Sequence, residues 1–426
     1  MRNTTDTRDT ARRACDKAAW RLLPFLFLLY IVAYLDRINV SFAALGMNQD
    51  LGLSQTAYGF GAGIFFLGYV LFEVPSNIIL ERVGPRRWIA RIMVSWGLAT
   101  AALALAQGPV SFAALRFVLG VAEAGFFPGI ILYLTYWFPQ ARRARAVALF
   151  MTATPVAGLI GSPLSGWIMQ MHGVLGHAGW QWLFVLEGLP AVILGVAVWL
   201  RLPDGPDAAA WLEPGERRAL ADLLERERRE VAGRYFSRLR QGLTSPRVWL
   251  LGWVYFCGVL AMYALVMWLP QIVSGVTGKG SGAVGLYVAV AYFFAALGMV
   301  AIGASSDRIG ERRWHVAGSM ALCLAGMLVL AVSSTLAGVL AGASLAAVGI
   351  WSVMGPFWGL ATASLSGTAA AAGIALINSV GNVGGFAGPY LMGWVKTHTG
   401  HYSEAFLYVA AVIVAGMVPV MVIRKR

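Results

Sequence analysis

Charge is what this chain has least of. Only 12% of its 426 residues are Asp, Glu, Lys or Arg, about half the share of a soluble globular protein. Hydrophobic residues make up 58%, and the mean hydropathy is +0.69. Such a chain cannot dress a water-facing surface. Cysteine is almost as scarce. Cys15, Cys257 and Cys323 have no paired spacing, so neither a disulfide framework nor a thiolate metal site is indicated. The five histidines (His172, His177, His315, His398, His401) lie in or near loops, and no G-x-S-x-G occurs. With no nucleophile motif and no ligand cluster, neither an enzyme nor a cofactor or metal is expected. A cleavable leader is not expected either: MRNTTDTRDTARRACDKAA is polar and mixed in charge, and the apolar run after it is too long for a signal core.

Apolar runs are there in number. They fall near 22–45, 57–80, 88–106, 112–137, 146–169, 181–200, 248–273, 283–304, 314–332, 336–360, 371–395 and 404–423. A helix needs about 20 residues to cross the hydrocarbon core, so twelve spans are expected. Glycine, 50 residues, and tryptophan, 16, fit that solvent, since membrane helices tolerate the first and interfaces collect the second. The net charge of +13 is distributed with a purpose. In the odd-numbered connections only Lys279 and Lys396 are basic, whereas the termini and even-numbered connections hold nearly all the rest. Positive residues stay inside. Both termini are therefore expected in the cytoplasm, with the lipid bilayer, and not nucleic acid, as the partner of this basic chain.

The one long polar stretch, residues 201–246, divides the spans six and six, and its Glu/Arg-rich middle, Pro214–Arg229, reads as a short surface helix. The expected organisation is a tail over 1–20, a six-helix half over 21–200, a linker over 201–246, a second half over 247–423 and a short tail over 424–426. The halves repeat at a constant offset of 226 residues. NIILERVGPRRW (Asn77–Trp88) aligns with GASSDRIGERRW (Gly303–Trp314), and Gly158 and Pro163 align with Gly384 and Pro389. Parallel halves of this kind form a substrate site at their interface near mid-membrane.

The loop pattern G-x-x-x-D-R-x-G-x-R-R, complete at Gly303–Arg313, resembles that of major facilitator superfamily transporters; the first copy has Asn77 and Glu81 where Gly and Asp are usual. YLDRINVSFA, FEVPSNIIL, RFVLGVAEAGFFPGIILYLTYWFP, WLFVLEGLPA and LPDGPDAAAWL are similar to the anion:cation symporter branch. Its members include bacterial tartrate, phthalate, hydroxyphenylacetate and sugar-acid permeases, with vesicular glutamate transporters and sialin as distant kin. The resemblance implies an all-α fold of twelve transmembrane helices in two halves, lodged in the bacterial inner membrane and working as a monomer. It implies import of a small organic anion together with protons; uniport or exchange without protons is the alternative.

The spans bury Asp36, Arg37, Glu73, Arg116, Glu123 and Glu187. An ionisable group at mid-bilayer costs at least about 2.5–3.5 kcal/mol, so such residues face the bundle interior and find partners. Arg116 and Glu123, seven apart, share a helix face about 10 Å along the axis, too far for a direct pair. Arg37 shares a stripe with Tyr30, Tyr34 and Ser41, while Asp36 points about 100° away. The neighbours therefore serve different jobs. The resemblance implies the roles: protons on Asp36 and Glu123, the substrate carboxylate on Arg37, and Arg116 tuning the acid near it. It also implies substrate contacts from Tyr69 and Asn378, and Tyr34, Trp351 and Ser352 are candidates for the same wall. Asn382, Trp358, Tyr255, Tyr263 and Gln271 are further wall candidates. Glu81, Arg82, Arg86, Asp307, Arg308 and Arg312 are expected as charge contacts of an inner gate, and Glu73 and Glu187 as structural.

Overall fold

The computed structural model describes the backbone over residues 2–232, 245–364 and 369–422. The 424–426 tail and the 233–244 part of the linker lie outside the described residues. Every described element is a helix or a short 3-10 turn. In chain order they are α1 (Arg2–Asp50), α2 (Gln55–Val83), α3 (Pro85–Ala102), α4 (Pro109–Glu123), α5 (Phe126–Thr135), α6 (Gln140–Met151), α7 (Ala153–Ile168) and α8 (Gly179–Arg201). After the linker helix α9 (Pro214–Ala232) come α10 (Pro246–Thr277), α11 (Ser281–Ile309), α12 (Arg313–Val332), α13 (Leu336–Ser364), α14 (Ala369–Thr399) and α15 (Ser403–Val422). Among the described residues eleven spans are long and apolar enough to cross a membrane. The twelfth is α14, whose 31 residues include Asn378, Asn382 and several glycines that lower its hydropathy. The fold is thus twelve membrane helices in two six-helix halves, with α4–α5 and α6–α7 each forming one broken span.

Two departures from the expected spans follow from local chemistry. The N-terminal tail is not separate from the first span, because α1 is one helix of 49 residues. Its polar start hides a stripe of small residues, Ala11, Ala14, Cys15 and Ala18, which is buried and runs on into Leu22. Small side chains carry little hydropathy, so the stripe does not register as an apolar run. The fourth span, expected unbroken over 112–137, is interrupted directly after Glu123. Ala124 is extended, and Gly125 turns left-handed at φ 87°, a conformation that favours glycine.

The repeat is visible in the packing between halves. α2 runs antiparallel against α14, and α7 against α11. A Cβ on Gly59 would collide with the Pro389 carbonyl, and a Cβ on Gly285 would collide with the Ser162 carbonyl and approach Pro163. Gly59 and Gly285 are one offset apart, as are Pro163 and Pro389. The same backbone contact is therefore made twice, about a pseudo-twofold axis between the halves. Large apolar side chains point outward from the bundle, among them Leu105, Val110, Leu200 and Val332. That is the surface of a protein in lipid.

The linker helix is fastened to the first half. Lys17 donates to Glu216 at 2.7–2.9 Å, the backbone N–H of Gln140 donates to Glu227 at 3.0 Å, and Trp137 stacks on Trp211. Burial alone would raise the Glu216 carboxyl, but the Lys17 hydrogen bond and charge, together with the Glu213 backbone N–H, hold it below its ordinary value. A lowered carboxyl stabilises the fold above its unfolded value of about 4.3 and ceases to do so as pH falls through the folded value. Acidification through that window is expected to speed hydrogen exchange in α9, and Lys17→Ala should produce the same loosening at neutral pH.

The glycine seams lend themselves to a thermal test. Gly59→Ala and Gly285→Ala should each destabilise the detergent-solubilised protein by about 1–3 kcal/mol, the cost of overpacking. Gly318→Ala, whose Cβ would meet nothing within 4 Å, should be neutral or slightly stabilising. Equal melting temperatures for all three would contradict the seam.

Candidate functional site

The middle of α1 divides its chemistry between two faces. Arg37 points into a cavity between the halves, while Asp36 points to α3 and α8 inside the first half. Arg37 forms an ion pair with Glu123 through Nη2 and donates from Nη1 to the Tyr263 hydroxyl at 3.5 Å. Its guanidinium also lies over the rings of Phe65 and Tyr69, 5.6 and 5.5 Å from their centroids. Glu123 is the last residue of α4, where the helix dipole presents its negative end. A carboxylate there needs a cation, and Arg37 supplies it across the bundle.

Arg116 is fully buried but is not the ion partner of Glu123. Its Nε and Nη2 donate to the carbonyls of Gly61 and Ala62 at 3.4 and 3.1 Å, and its charge sits over Phe65 at 4.9 Å. The second lone pairs of α2 carbonyls thus hold the guanidinium. Seven-residue spacing separates Arg116 from Glu123 as expected; that Arg37 would be the one to reach Glu123 has no local signal in the sequence. Asp36 accepts from Trp96 Nε1 at 2.5 Å and stands 3.5 Å from the Asn39 amide. Glu187, also buried, accepts from Ser165 at 2.7 Å. Glu187, expected as structural, belongs to the surroundings of Asp36.

The cavity measures about 70 Å³. Arg37, Tyr34, Tyr69, Trp351, Asn378 and Asn382 all line it. Tyr255 and Tyr263 do so as well, joined by Tyr30, Phe66 and Phe127, which the sequence reading did not single out as walls. Ser352 is a correction: it is buried off the cavity, with its hydroxyl toward Gly298 of α11. One helical position from Trp351 is enough to turn it away. Trp358 packs on Tyr255 and Phe357 behind the wall, and Gln271 accepts from Asn48 at 3.2 Å at the sealed end. Trp351 reaches across to Thr154 at 3.2 Å.

On the face opposite the linker the halves are sewn together. Tyr58 donates to the Met267 carbonyl at 2.8 Å, and Thr56 to Thr397 at 2.8 Å. Toward the linker face a cross-half hydrogen bond runs from Asn378 Nδ2 to Glu73 Oε1 at 2.7 Å. Glu73 therefore belongs to the cavity's rim, not to the loop below it. Among the described residues the six gate candidates form no hydrogen bond or ion pair between the halves. Arg312 pairs with Asp307 at 2.5 Å inside the second-half loop, and Arg86 pairs with Asp204 of the linker at 3.6 Å. Glu81, Arg82 and Arg308 are exposed.

Comparison with known proteins agrees with this architecture. Residues 26–389 match the family model of the Major Facilitator Superfamily. A protein of Agrobacterium vitis named for tartrate transport is 48% identical over 98% of this chain and 96% of its own length. A quinolone resistance transporter of Acinetobacter baumannii is 41% identical over 94% of this chain and 92% of its own. Among solved structures, a bacterial homologue of the human lysosomal transporter Spinster superposes with a TM-score of 0.75 at 17% identity, covering 94% of this chain and 96% of that one. With the family matched over most of its length and the same two-half helical fold around a central cavity, this chain is a multi-pass membrane transporter of the major facilitator superfamily.

Proposed function

We propose that the protein imports a small organic carboxylate by proton symport with alternating access, in the bacterial inner membrane, as a monomer with both termini cytoplasmic. The observation that carries this reading is the Arg37–Glu123 ion pair at the cavity wall. Arg37 is the charged side chain that lines the cavity among the described residues, and a guanidinium holds a carboxylate through two parallel hydrogen bonds. In this conformation Glu123 occupies it. A substrate carboxylate can take Arg37 only if Glu123 gives it up, and an abandoned carboxylate buried at a helix end costs about 3–5 kcal/mol. Protonation of Glu123 removes that cost. Anion and proton therefore enter together, and coupling follows from one cation being shared by two carboxylates.

The walls suit a hydroxylated or aromatic acid. Tyr34, Tyr69, Tyr263, Asn378 and Asn382 offer hydrogen bonds around Arg37, and Trp351, Phe66 and Phe127 offer flat apolar surface. The relative named for tartrate transport supports trying dicarboxylates first. Closure at the far face and exposure of Glu81, Arg82 and Arg308 are what an inward-facing transporter would have. In that cycle Asp36 holds a proton, Arg116 fixes α2 against α4, and the Asn378–Glu73 bond closes the linker side over a bound anion.

Uptake of radiolabelled tartrate and of an aromatic acid into proteoliposomes, with and without an imposed inward proton gradient, tests the scheme. Gradient-driven accumulation of at least one of these acids is expected; uptake indifferent to the gradient would leave uniport or exchange. Glu123→Gln should abolish accumulation, because a side chain that cannot lose a proton cannot link it to the anion. Arg37→Lys keeps the charge without the fork and should weaken anion binding at least tenfold, read as a lost thermal shift. Asn378→Ala removes a hydrogen bond to an acid, about 1.5–3 kcal/mol, and should speed anion release on the linker side about tenfold or more. Unchanged release would mean that the Glu73 contact closes nothing.

A further inference from the structure

The cavity offers a cation at one end only. Among the described residues Arg37 is the charged side chain that lines it, and Glu123 already pairs with that guanidinium. Arg116, the next buried cation, is held by the Gly61 and Ala62 carbonyls. Half of the lining residues are aromatic, and Met151, Met262 and Met354 add deformable apolar surface. Tyr30 and Phe127 stand 5.7 Å apart on the first-half side, and Phe66 lies 4.3 Å from Tyr263 where the halves meet. A substrate therefore finds one place for a carboxylate, beside Arg37, and a flat body fits between the rings. What its other end meets is set by Glu73, an acid set just behind the lining.

Glu73 follows Tyr69 by four residues on α2, on the same helix face and about 6 Å along the axis. Tyr69 lies 5.5 Å from the Arg37 guanidinium, so Glu73 marks a level one turn from the anion-binding end. Its side chain is 6% exposed; Oε1 accepts from Asn378 Nδ2 at 2.7 Å, and Oε2 is buried without a partner. An accepting carboxyl oxygen calls for a donor, so of the two ends of the Asn378 amide the nitrogen turns to Glu73. The carbonyl end is left for the cavity that Asn378 lines, and among the described residues no donor reaches Asn378 Oδ1. The wall thus presents an acceptor here, with an acid directly behind it. A second carboxylate at this level would meet that acceptor and a like charge, with no cation to balance either.

We propose that Glu73 is a positioning residue for substrate selection. By holding Asn378 through its nitrogen, it makes the cavity a site for a monocarboxylic acid whose end away from Arg37 carries a hydrogen-bond donor, and it shuts out a second carboxylate. The inference rests on the reading of Arg37 as the carboxylate site and names the class of acid that site takes. A hydroxyl one benzene ring away from the carboxylate matches the rise from Arg37 to Asn378. Tartrate, which brings hydroxyls but also a second carboxylate, falls on the rejected side. A site built to bond a substrate hydroxyl discriminates strongly against the analogue that lacks it, because its own polar groups are then left unpaired.

Isothermal titration calorimetry of the purified protein reads the selection without transport. The probes are para-hydroxybenzoate, para-methoxybenzoate (which keeps the oxygen but not the donor), terephthalate (which adds a second carboxylate) and tartrate. Wild type should bind para-hydroxybenzoate about tenfold or more tighter than each of the others. In Glu73→Gln the carboxamide both donates and accepts, so Asn378 is free to turn and the like charge is gone. The preferences over the methoxy acid and terephthalate should then each fall about fivefold or more, whatever happens to absolute affinity. A merely structural Glu73 would weaken all the acids together and leave the ratios intact, which overturns the proposal. In Asn378→Ala the preference over the methoxy acid should vanish while that over terephthalate persists, since Glu73 remains. A hydroxyl preference that survives in this variant overturns the proposal, as does wild-type binding of terephthalate or tartrate as tight as that of para-hydroxybenzoate. If none of the four acids binds, the carboxylate reading fails and takes the inference with it. If the ratios behave as expected while uptake ignores the proton gradient, symport fails and the selection stands. Gradient-driven uptake of tartrate with ratios near unity sinks the inference alone.

Discussion

Everything in the central cavity is arranged around one guanidinium. Arg37 is placed in a bundle with little water, and burying it is tolerable only because Glu123 meets it from the broken fourth span. The break does two things at once. It ends α4 at the carboxylate, where the helix dipole makes an isolated negative charge least welcome, and it opens a turn at Gly125 that packs against Ser76 of α2. An unbroken helix would give Glu123 a more comfortable peptide environment and so weaken its demand for Arg37. Irregular backbone at membrane depth is tolerated where it is enclosed by protein, and here it is.

The two halves repeat in shape but not in charge. By the offset of 226, the counterpart of Arg37 is Tyr263, that of Asp36 is Met262, that of Arg116 is Gly342 and that of Glu123 is Gly349. The pseudo-twofold axis brings Arg37 against its own counterpart, Tyr263, at 3.5 Å. The ionic machinery thus sits in the first half, and the second supplies rings, hydroxyls and the amides of α14 as a wall. This asymmetry keeps the energetics manageable. A second set of buried ions facing the first would add repulsion and desolvation at the interface that has to move, whereas aromatic and amide side chains can slide past the pair without uncompensated charge.

What was legible in the sequence follows from what leaves a local trace. Span number, the divided halves and the linker helix were legible because hydropathy and the 226-residue repeat are patterns along the chain. The opposite facing of Asp36 and Arg37 was legible from 100° per residue alone. Partners were not. Nothing in RFVLGVAE says that Glu123 will meet Arg37, 86 residues earlier, while Arg116 turns to the carbonyls of Gly61 and Ala62. Glu73 looked like a neighbour of the loop at Glu81, yet antiparallel packing of α2 on α14 carries it to Asn378, 305 residues away. The buried stripe of Ala11, Ala14, Cys15 and Ala18 escaped notice because small residues pack well while scoring as weakly hydrophobic.

The seams explain how such a pair could be exposed first to one side and then to the other. On the face opposite the linker, closure depends on backbone carbonyls and small residues: Tyr58 to Met267, Gly59 against Pro389, Gly285 against Ser162. These contacts are neutral and individually modest, so they can break and re-form at little cost. The linker side is bridged at Glu73 and Asn378 by one hydrogen bond to an acid, nearer the cavity than any loop charge. A bound anion beside Asn378 would compete with Glu73 for that amide, much as it would compete with Glu123 for Arg37. Both contests favour a protonated carboxyl on the protein, so in the proposed cycle occupancy of the cavity and closure of its rim respond to the same proton supply.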